Sequence, residues 1–310
     1  MPPTNAHRQA KLQAIRTSRR PVLYDGAKGV FLSPRLPDVG KAPSDLTEWL
    51  NLLAPETVRQ THRAYVEAGS EIIQTNSFNA NRFRLEPHGL DSPTQEVNLL
   101  AAQIAREAAG QDVLVAGVLG PSGKLLALGE VSREALVEAF AQQARALDEG
   151  GIDFFHVETM SDLEEALAAV EGIRSVSGLP VTLTMSFDSG KAEKGLRTMM
   201  GVAAGQLAQT ACELGLFGVG ANCGRGLDGY QTVIRQLTEA AGQAVVIAKL
   251  NTGVPQMRDG QVHYGGPPEE MAEYALWCAR QKVGIIGGCC GSTPAHIEAM
   301  ARALARERLR

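Results

Sequence analysis

Three cysteines carry the clearest chemical signal in this sequence. Cys289 and Cys290 are adjacent, lie among glycines in the segment 287–291, and follow an apolar run typical of a buried strand. Cys223 ends a second run of that kind. Neighbouring side chains of a regular strand point to opposite faces, but flanking glycines permit backbone angles that turn both thiols toward one point. Three thiolates without a fourth protein ligand are the set expected for a zinc ion with one open coordination position.

Other interpretations of the cysteines stay open at this point. A buried cysteine is most often a small apolar side chain, and we interpret Cys212 and Cys278 in this way because both fall inside predicted helices. Cys289 and Cys290 could instead form a redox-active disulfide. The chain contains no CxxC pair, so the usual local spacing of zinc ligands is absent. The metal hypothesis therefore requires the fold to bring Cys223 to the other two.

Length and composition favour a single α/β domain and exclude several classes of partner. The 310 residues suit one (β/α)8 barrel, and 44% hydrophobic residues support a large core. A formal net charge of -4 with only 5% aromatic residues argues against nucleic acid as a partner. No apolar run reaches the ~18 residues of a membrane span. Five cysteines are too few for a disulfide scaffold, and a reducing cytoplasm suits thiolate ligands, so we expect a cytoplasmic protein.

The first 20 residues are basic. They contain no acidic residue and carry Arg8, Lys11, Arg16, Arg19 and Arg20. That composition overlaps with an organellar transit peptide, but we interpret it as a surface helix or extension that leads into the first strand.

Eight apolar runs, each followed by a helical pattern, predict the fold. The strands fall at 21–24, 71–74, 113–118, 153–157, 180–185, 217–222, 244–249 and 283–286. The helices fall at 56–68, 95–109, 133–150, 162–176, 200–214, 229–241, 268–280 and from 294 onward. This alternation predicts a single (β/α)8 TIM barrel that spans residues 1–310, without a second domain.

Polar residues follow the predicted strands at the end where such barrels form their active sites. Asp25, Asn76, Glu158 and Asn251 lie there, together with the three cysteines. Strand alternation places Glu158 on the same face as Phe154 and His156. The connection after the first strand is the longest and contains several prolines, which is typical of a lid or binding loop.

A zinc ion with three thiolate ligands is better suited to holding a substrate thiol than to hydrolysis. Three anionic sulfurs leave little positive charge to acidify a water molecule. A free thiol has a pKa near ~8.5, whereas a coordinated thiol is deprotonated outright. Such a fixed thiolate can attack a methyl group in line, so the site predicts alkyl transfer to sulfur.

Five segments together resemble the homocysteine S-methyltransferase family: Asp25-Gly26-Ala27-Lys28-Gly29, Thr75-Asn76-Ser77-Phe78, Arg197-Thr198-Met199-Met200-Gly201, Gly220-Ala221-Asn222-Cys223-Gly224 and the segment 287–297 with its Thr-Pro-x-His-Ile tail. The resemblance runs from about residue 20 to residue 305. Within the family the chain looks most like the homocysteine-binding barrel of cobalamin-dependent methionine synthase, and next most like betaine–homocysteine methyltransferase.

The resemblance implies roles for the site residues. Cys223, Cys289 and Cys290 would be the zinc ligands. Asp25 and Glu158 would hold the amino-acid end of homocysteine, and we assign Asn76 and Asn251 to the same substrate site. Asn251 looks like the residue that approaches the zinc when substrate is absent. The implied activity is zinc-dependent methyl transfer to homocysteine, which gives methionine.

The chain departs from the family pattern in its first loop. Lys28 and Val30 stand where the family commonly has Met and Thr. Lys28 could repel a sulfonium or quaternary ammonium donor or point to solvent, and of the two we expect that it points to solvent. The methyl donor stays open among betaine, S-methylmethionine, S-adenosylmethionine, methyltetrahydrofolate and methylcobalamin on a separate corrinoid protein. A homo-oligomer, or a separate corrinoid or folate protein, is a possible partner.

Three other functions are compatible with the sequence. The chain could be a non-catalytic zinc- and homocysteine-binding subunit of a multi-protein corrinoid methyltransferase. It could be a redox sensor that uses Cys289 and Cys290. A metal-free barrel enzyme that binds phosphate through its late glycine-rich loops ranks last, because it leaves the three cysteines without a role.

Overall fold

The computed structural model describes residues 5–90, 94–191, 195–224, 227–253, 256–258 and 261–307. Within them the strands are β1 (Val22–Leu23), β2 (Ile72–Gln74), β3 (Leu114–Leu119), β4 (Phe154–Met160), β5 (Val181–Met185), β6 (Gly218–Cys223), β7 (Val245–Leu250), β8 (Gln256–Arg258), β9 (Gln261–His263) and β10 (Ile285–Gly288). All of them except β8 and β9 belong to one parallel sheet.

The parallel sheet closes on itself. Its order is β1-β10-β7-β6-β5-β4-β3-β2, and β1 returns to β2 through a parallel bridge between Tyr24 and Ile72. Two backbone hydrogen bonds complete this seam: Glu71 N–H donates to Leu23 O at 2.8 Å, and Asp25 N–H donates to Ile72 O at 2.9 Å. Closure leaves no free sheet edge along the seam, and the predicted (β/α)8 barrel is confirmed.

Helices precede, connect and follow the strands of the barrel. They are α1 (Asn5–Thr17), α2 (Gly29–Leu32), α3 (Trp49–Leu53), α4 (Pro55–Glu67), α5 (Arg82–Leu85), α6 (Thr94–Ala109), α7 (Arg133–Glu149), α8 (Leu163–Val176), α9 (Ala204–Glu213), α10 (Leu227–Ala240), α11 (Pro268–Arg280) and α12 (Pro294–Glu307). Helices α2 and α3, with a 3₁₀ helix at Ser33–Val39, occupy the long first connection.

The helix α1 covers the amino-terminal end of the barrel. Its Leu12 and Ile15 are buried and belong to the same apolar cluster as the inward-facing strand residues Leu114 and Phe154. Arg8 also contacts the buried Asp153, with 3.2 Å between Nε and Oδ1. The predicted helix is therefore present, and two of its apolar residues close the bottom of the barrel; residues 1–4 lie outside the described part of the chain.

Three details differ from the sequence-based expectation. β4 continues to Met160, so Glu158 lies within the strand rather than beyond it. The antiparallel pair β8 and β9 was not predicted. Cys278 is buried as expected, but Cys212 is exposed on α9, so its interpretation as a core residue was wrong. Across the described residues, none of the helices is both long enough and apolar enough to traverse a bilayer.

Candidate metal centre and substrate cavity

Cys223 reaches the centre of the barrel mouth because of its backbone conformation. It is the last residue of β6 and pairs in register with Leu250 of β7. Its φ of 59° lies in the left-handed region, which non-glycine residues seldom adopt. Such outliers are concentrated at functional sites.

Cys289 and Cys290 lie on the turn that follows β10. Cys289 N–H donates to Leu250 O at 2.7 Å, and Cys290 O accepts from Thr252 N–H at 3.1 Å, so both residues are tied to the end of β7. Gly291 takes a φ of 80°, which a residue with a side chain would adopt only under strain. The expected role of glycine in turning the paired thiols is thus supported at this position.

The three sulfur atoms converge. Cys223 Sγ lies 2.7 Å from Cys289 Sγ and 3.8 Å from Cys290 Sγ. All three lie within 4.8 Å of one another, and each cysteine is free of a disulfide. In a tetrahedral zinc site with Zn–S bonds of about 2.3 Å, neighbouring sulfurs are about 3.8 Å apart. The donor set fits zinc, although the shorter separation would have to widen by about 1 Å.

The thiols of the cluster differ in pKa. Hydrogen bonds from Cys223 and Cys289 lower the pKa of Cys290 to about 3, while the same contacts and burial raise the pKa of Cys223. Tyr264 lies near the same sulfurs and lowers the pKa of the Cys290 thiol further. Tyr264 follows β9 and was not singled out in the sequence.

Two asparagines contact the cysteines or the backbone next to them. Asn222 Nδ2 lies 3.5 Å from Cys223 Sγ and 3.7 Å from Cys289 Sγ. Asn251 joins the two cysteine-bearing segments: its Nδ2 donates to Gly224 O at 3.2 Å, and its Oδ1 accepts from Cys290 N–H at 3.0 Å. Residues of this kind orient the groups that bind a metal and adjust their basicity. The sequence suggested Asn251 for this region but assigned no role to Asn222.

A serine and a histidine of the carboxy-terminal motif position the loops. Ser292 Oγ accepts from Ala27 N–H at 2.9 Å and donates to Cys289 O at 2.6 Å, so it connects the first loop to the paired cysteines. His296 contacts Gly266 O at 2.9 Å through Nε2 and Thr293 Oγ1 at 2.8 Å through Nδ1. The motif therefore joins three loops at the barrel mouth.

Two buried ion pairs form the floor beside the sulfurs. Glu158 pairs with Lys249, whose Nζ also donates to Gln74 Oε1 at 2.5 Å. Asp25 Oδ2 lies 2.5 Å from Lys28 Nζ. Burial alone would raise the pKa of Glu158, but Lys249 and the His156 ring, whose Nε2 lies 3.7 Å from Oε1, hold that pKa well below its usual value. Glu158 is therefore ionised at neutral pH.

The expectation that Lys28 points to solvent was wrong. Its side chain is 6% exposed and lies in the cavity wall because Asp25, fully buried, supplies the opposite charge. Burial raises the pKa of Asp25, and Lys28 and Lys249 act against that rise. The sequence showed a cation near the pocket mouth but could not show its ion pair.

Asn76 lines the cavity with its amide already bonded. Nδ2 donates to Thr47 O at 2.9 Å and to Asn51 Oδ1 at 3.0 Å, and Oδ1 accepts from Thr47 Oγ1 at 3.0 Å. Asn76 therefore holds the segment that contains α3 against the end of β2. Its assignment as a substrate ligand stays a prediction, because these contacts use most of its hydrogen-bonding capacity.

One cavity of about 490 Å³ is lined by the three cysteines, Lys28, Lys249 and Glu158, whereas Asp25 is fully buried and is not part of its lining. The long first connection supplies one side of it through residues such as Pro43, Leu46 and Glu48. Phe78, in the loop after β2, adds aromatic surface. The volume is typical of a pocket for small molecules, and its polar groups converge on the sulfurs.

A (β/α)8 barrel with three cysteine sulfurs at the carboxyl ends of its strands defines the class of protein. The model of the family "Homocysteine S-methyltransferase" matches residues 22–304. The chain belongs to the homocysteine S-methyltransferase family of enzymes, which confirms the resemblance seen in the sequence.

Comparisons with individual proteins give the same result as the family model. The chain is 29% identical over 298 residues to a methionine synthase of Mycobacterium leprae (strain TN), and the match covers 93% of this chain and 25% of that protein. The chain thus spans a quarter of that relative's length. The metallated form of the homocysteine methyltransferase MmuM from Escherichia coli shares the fold with a TM-score of 0.76 and 24% identity, covering 94% of this chain and 99% of that one. A methyltransferase from Methanosarcina mazei has a TM-score of 0.62 and 15% identity over 97% of this chain and 99% of its own.

Proposed function

We propose that this chain is a zinc-dependent S-methyltransferase that transfers a methyl group to the thiolate of homocysteine and so forms methionine. The observation that carries the proposal is the convergence of Cys223, Cys289 and Cys290 within 4.8 Å at the cavity that Glu158 also lines. Asp25 is buried next to this cavity and pairs with Lys28 in its wall. Membership of the homocysteine S-methyltransferase family supports the same reaction. Bound zinc would keep the acceptor sulfur deprotonated near neutral pH.

The reaction needs no general base once the acceptor is a thiolate. The homocysteine sulfur attacks the methyl carbon of the donor, a new S–CH3 bond forms, and the donor leaves with the electron pair of the broken bond. The protein's part is to hold the sulfur and the methyl carbon in line and to exclude water. The partly enclosed cavity behind the first connection suits that task.

The acid groups beside the sulfurs suit the amino-acid end of the acceptor. Glu158 is ionised, and Asp25 has one carboxylate oxygen, Oδ1, that is buried without a hydrogen-bond partner among the described residues. A buried acceptor without a partner is costly, and a substrate ammonium group would satisfy it.

The proposal is tested by measuring bound zinc and methionine formation together. Cys290→Ala should lose both, whereas Cys212→Ala, which removes an exposed thiol on α9, should keep both. Donors to compare are betaine, S-methylmethionine, S-adenosylmethionine, methyltetrahydrofolate and methylcobalamin. Stoichiometric zinc with full activity in Cys290→Ala would contradict the proposal.

The same measurements separate the alternative functions. Methionine formation that appears only after cell extract is added would favour a subunit of a multi-protein corrinoid methyltransferase. Wild-type protein that holds no zinc but forms a disulfide between Cys289 and Cys290 would favour a redox sensor.

A further inference from the structure

Lys28 is a charged residue for which the proposed reaction supplies no task. Its side chain lies against the substrate cavity with 6% exposure, and within the described residues its Nζ has a hydrogen bond to Asp25 Oδ2 alone. A lysine ammonium group has three N–H donors. Two donors are therefore left to face the cavity or a ligand in it.

The second buried lysine is in a different situation. Lys249 Nζ contacts Glu158, donates to Gln74 Oε1 at 2.5 Å and lies 4.3 Å from the centre of the Tyr24 ring. Its side chain is 2% exposed. Lys249 is thus fully engaged in the barrel interior, and Lys28 is the lysine that can bind a ligand.

The charges of the two ion pairs balance. Asp25 and Glu158 contribute two negative charges, and Lys28 and Lys249 contribute two positive charges in the same buried cluster. Away from the sulfurs, a ligand end with a single net charge would leave an unmatched charge in a poorly hydrated site, which is costly. A zwitterion adds no net charge and can match both signs locally.

The spare hydrogen-bonding capacity at this point of the cavity wall lies on Lys28. Its Nζ is bonded to one oxygen of the Asp25 carboxylate and keeps further donors. Resting on the proposed function, we infer that Lys28 binds the α-carboxylate of the acceptor. Lys28 would thereby favour acceptor thiols that carry a carboxylate.

Three acceptor thiols of matched length test this inference. Homocysteine carries both charged groups, 4-mercaptobutyrate lacks the ammonium, and 3-mercaptopropylamine lacks the carboxylate. Their dissociation constants can be measured by calorimetry with zinc-loaded protein, which requires no methyl donor. The variants to compare are wild type, Lys28→Met and Lys28→Arg.

We expect Lys28→Met to weaken homocysteine binding by about tenfold to hundredfold, the usual range for one hydrogen bond to a charged group. Binding of 4-mercaptobutyrate should fall by a similar factor, and binding of 3-mercaptopropylamine should stay the same or improve. Lys28→Arg should restore part of the preference for the carboxylate because it keeps the cation. Retained binding of 3-mercaptopropylamine also shows that Lys28→Met is folded.

The outcomes distinguish this inference from the proposed function. Equal weakening of all three thiols in Lys28→Met would mean that Lys28 only neutralises Asp25, and would overturn the assignment. Unchanged homocysteine binding would overturn it too. The predicted pattern of binding, without methyl transfer from any donor, would contradict the proposed reaction and leave the role of Lys28 standing. Wild-type protein that does not bind homocysteine would contradict both.

Discussion

Asn222 holds Thr159 in a left-handed backbone conformation. Thr159 N–H donates to Asn222 Oδ1 at 3.1 Å, and Asn222 Nδ2 donates to Thr159 Oγ1 at 2.7 Å. Thr159 has a φ of 62°, which is rare for a β-branched residue and costs on the order of 1–3 kcal/mol. The same Asn222 amide faces the sulfurs of Cys223 and Cys289. One side chain thus connects the irregular end of β4 to the candidate metal centre.

Asn222→Ala should therefore weaken zinc binding and destabilise the barrel. We expect zinc affinity to fall about 10- to 100-fold, as is usual when a group that orients metal ligands is removed. The free energy of unfolding should fall by about 1–3 kcal/mol, because Thr159 N–H loses its buried acceptor. Competition with a chromophoric chelator measures the first effect, and urea unfolding measures the second.

Thr159→Gly is the matched control for this prediction. It removes the hydroxyl that Asn222 contacts but keeps the backbone N–H, and glycine adopts a positive φ without strain. Zinc affinity should stay close to that of the wild type. An Asn222→Ala variant that binds zinc as tightly as the wild type would show that the amide has no influence on the sulfurs.

Asn251→Ala should loosen both cysteine-bearing segments at once. Asn251 connects Gly224 O, next to Cys223, to the backbone N–H of Cys290. Without that connection the sulfurs have more freedom, and zinc affinity should fall by about 10-fold or more. Thr252→Ala is the control, since the hydrogen bond from Thr252 to Cys290 O comes from its backbone. Unchanged zinc affinity with tighter homocysteine binding would support the competing-ligand role that the family resemblance implies.

The hydrophobic pattern of the chain was sufficient to predict the barrel. Each barrel strand is an apolar run, and each main helix has an amphipathic period, so the type and order of these elements followed directly. The short helices α2, α3 and α5 and the pair β8 and β9 did not follow from that pattern. The parallel order then placed Cys223 at the same end of the barrel as Cys289 and Cys290, and the convergence of their sulfurs agrees with that prediction.

The electrostatic arrangement of the floor could not be predicted in this way. Lys249 lies in an apolar strand and pairs with Glu158, which is 91 positions away in sequence. The sequence around either residue does not indicate that the other is its partner. The burial of Lys28 likewise depends on Asp25, whose own burial follows from barrel closure. Asn76 resembles a site residue in sequence, yet its contacts depend on how the first connection folds back.

Lys249→Met should destabilise the protein strongly by leaving Glu158 buried without its partner. Removing one member of a buried ion pair typically costs about 3–5 kcal/mol. Glu158→Gln added to Lys249→Met should recover part of that loss because it removes the unpaired charge. Urea unfolding near neutral pH measures the three free energies. Glu298→Gln, which breaks an exposed pair with Arg302, is the control and should change stability by less than about 1 kcal/mol.

In Lys249→Met, acidification should change the contribution of Glu158 to stability in the opposite direction from that in the wild type. In the wild type the pKa of Glu158 is lowered, so the carboxylate contributes stability above its unfolded-state pKa and loses it as pH falls. In Lys249→Met, burial without a partner raises the pKa, so protonation on acidification should restore stability. A variant whose stability falls with pH as steeply as that of the wild type would contradict this account of the pair.

His62 should make the barrel sensitive to mild acid. Its ring is fully buried on α4, and both ring nitrogens are without a hydrogen-bond partner among the described residues. Burial, together with the nearby positive charge of Lys28, lowers the pKa of His62 well below its usual value. The folded chain therefore keeps this imidazole neutral, while the unfolded chain takes up a proton below about pH 6.5. Its effect on stability should appear as pH falls through that value and be absent above it.

His62→Leu should remove this sensitivity. The wild type should lose up to about 1.4 kcal/mol of unfolding free energy per pH unit through His62 as pH falls below about 6.5, and the variant should show a slope reduced by that amount. Near neutral pH the variant should be as stable as the wild type or more so, because an apolar side chain replaces polar atoms without partners. Urea unfolding across the range provides the measurement, with the exposed His7→Leu as control. An unchanged slope in His62→Leu would mean that the imidazole is protonated in the folded chain as readily as in the unfolded one.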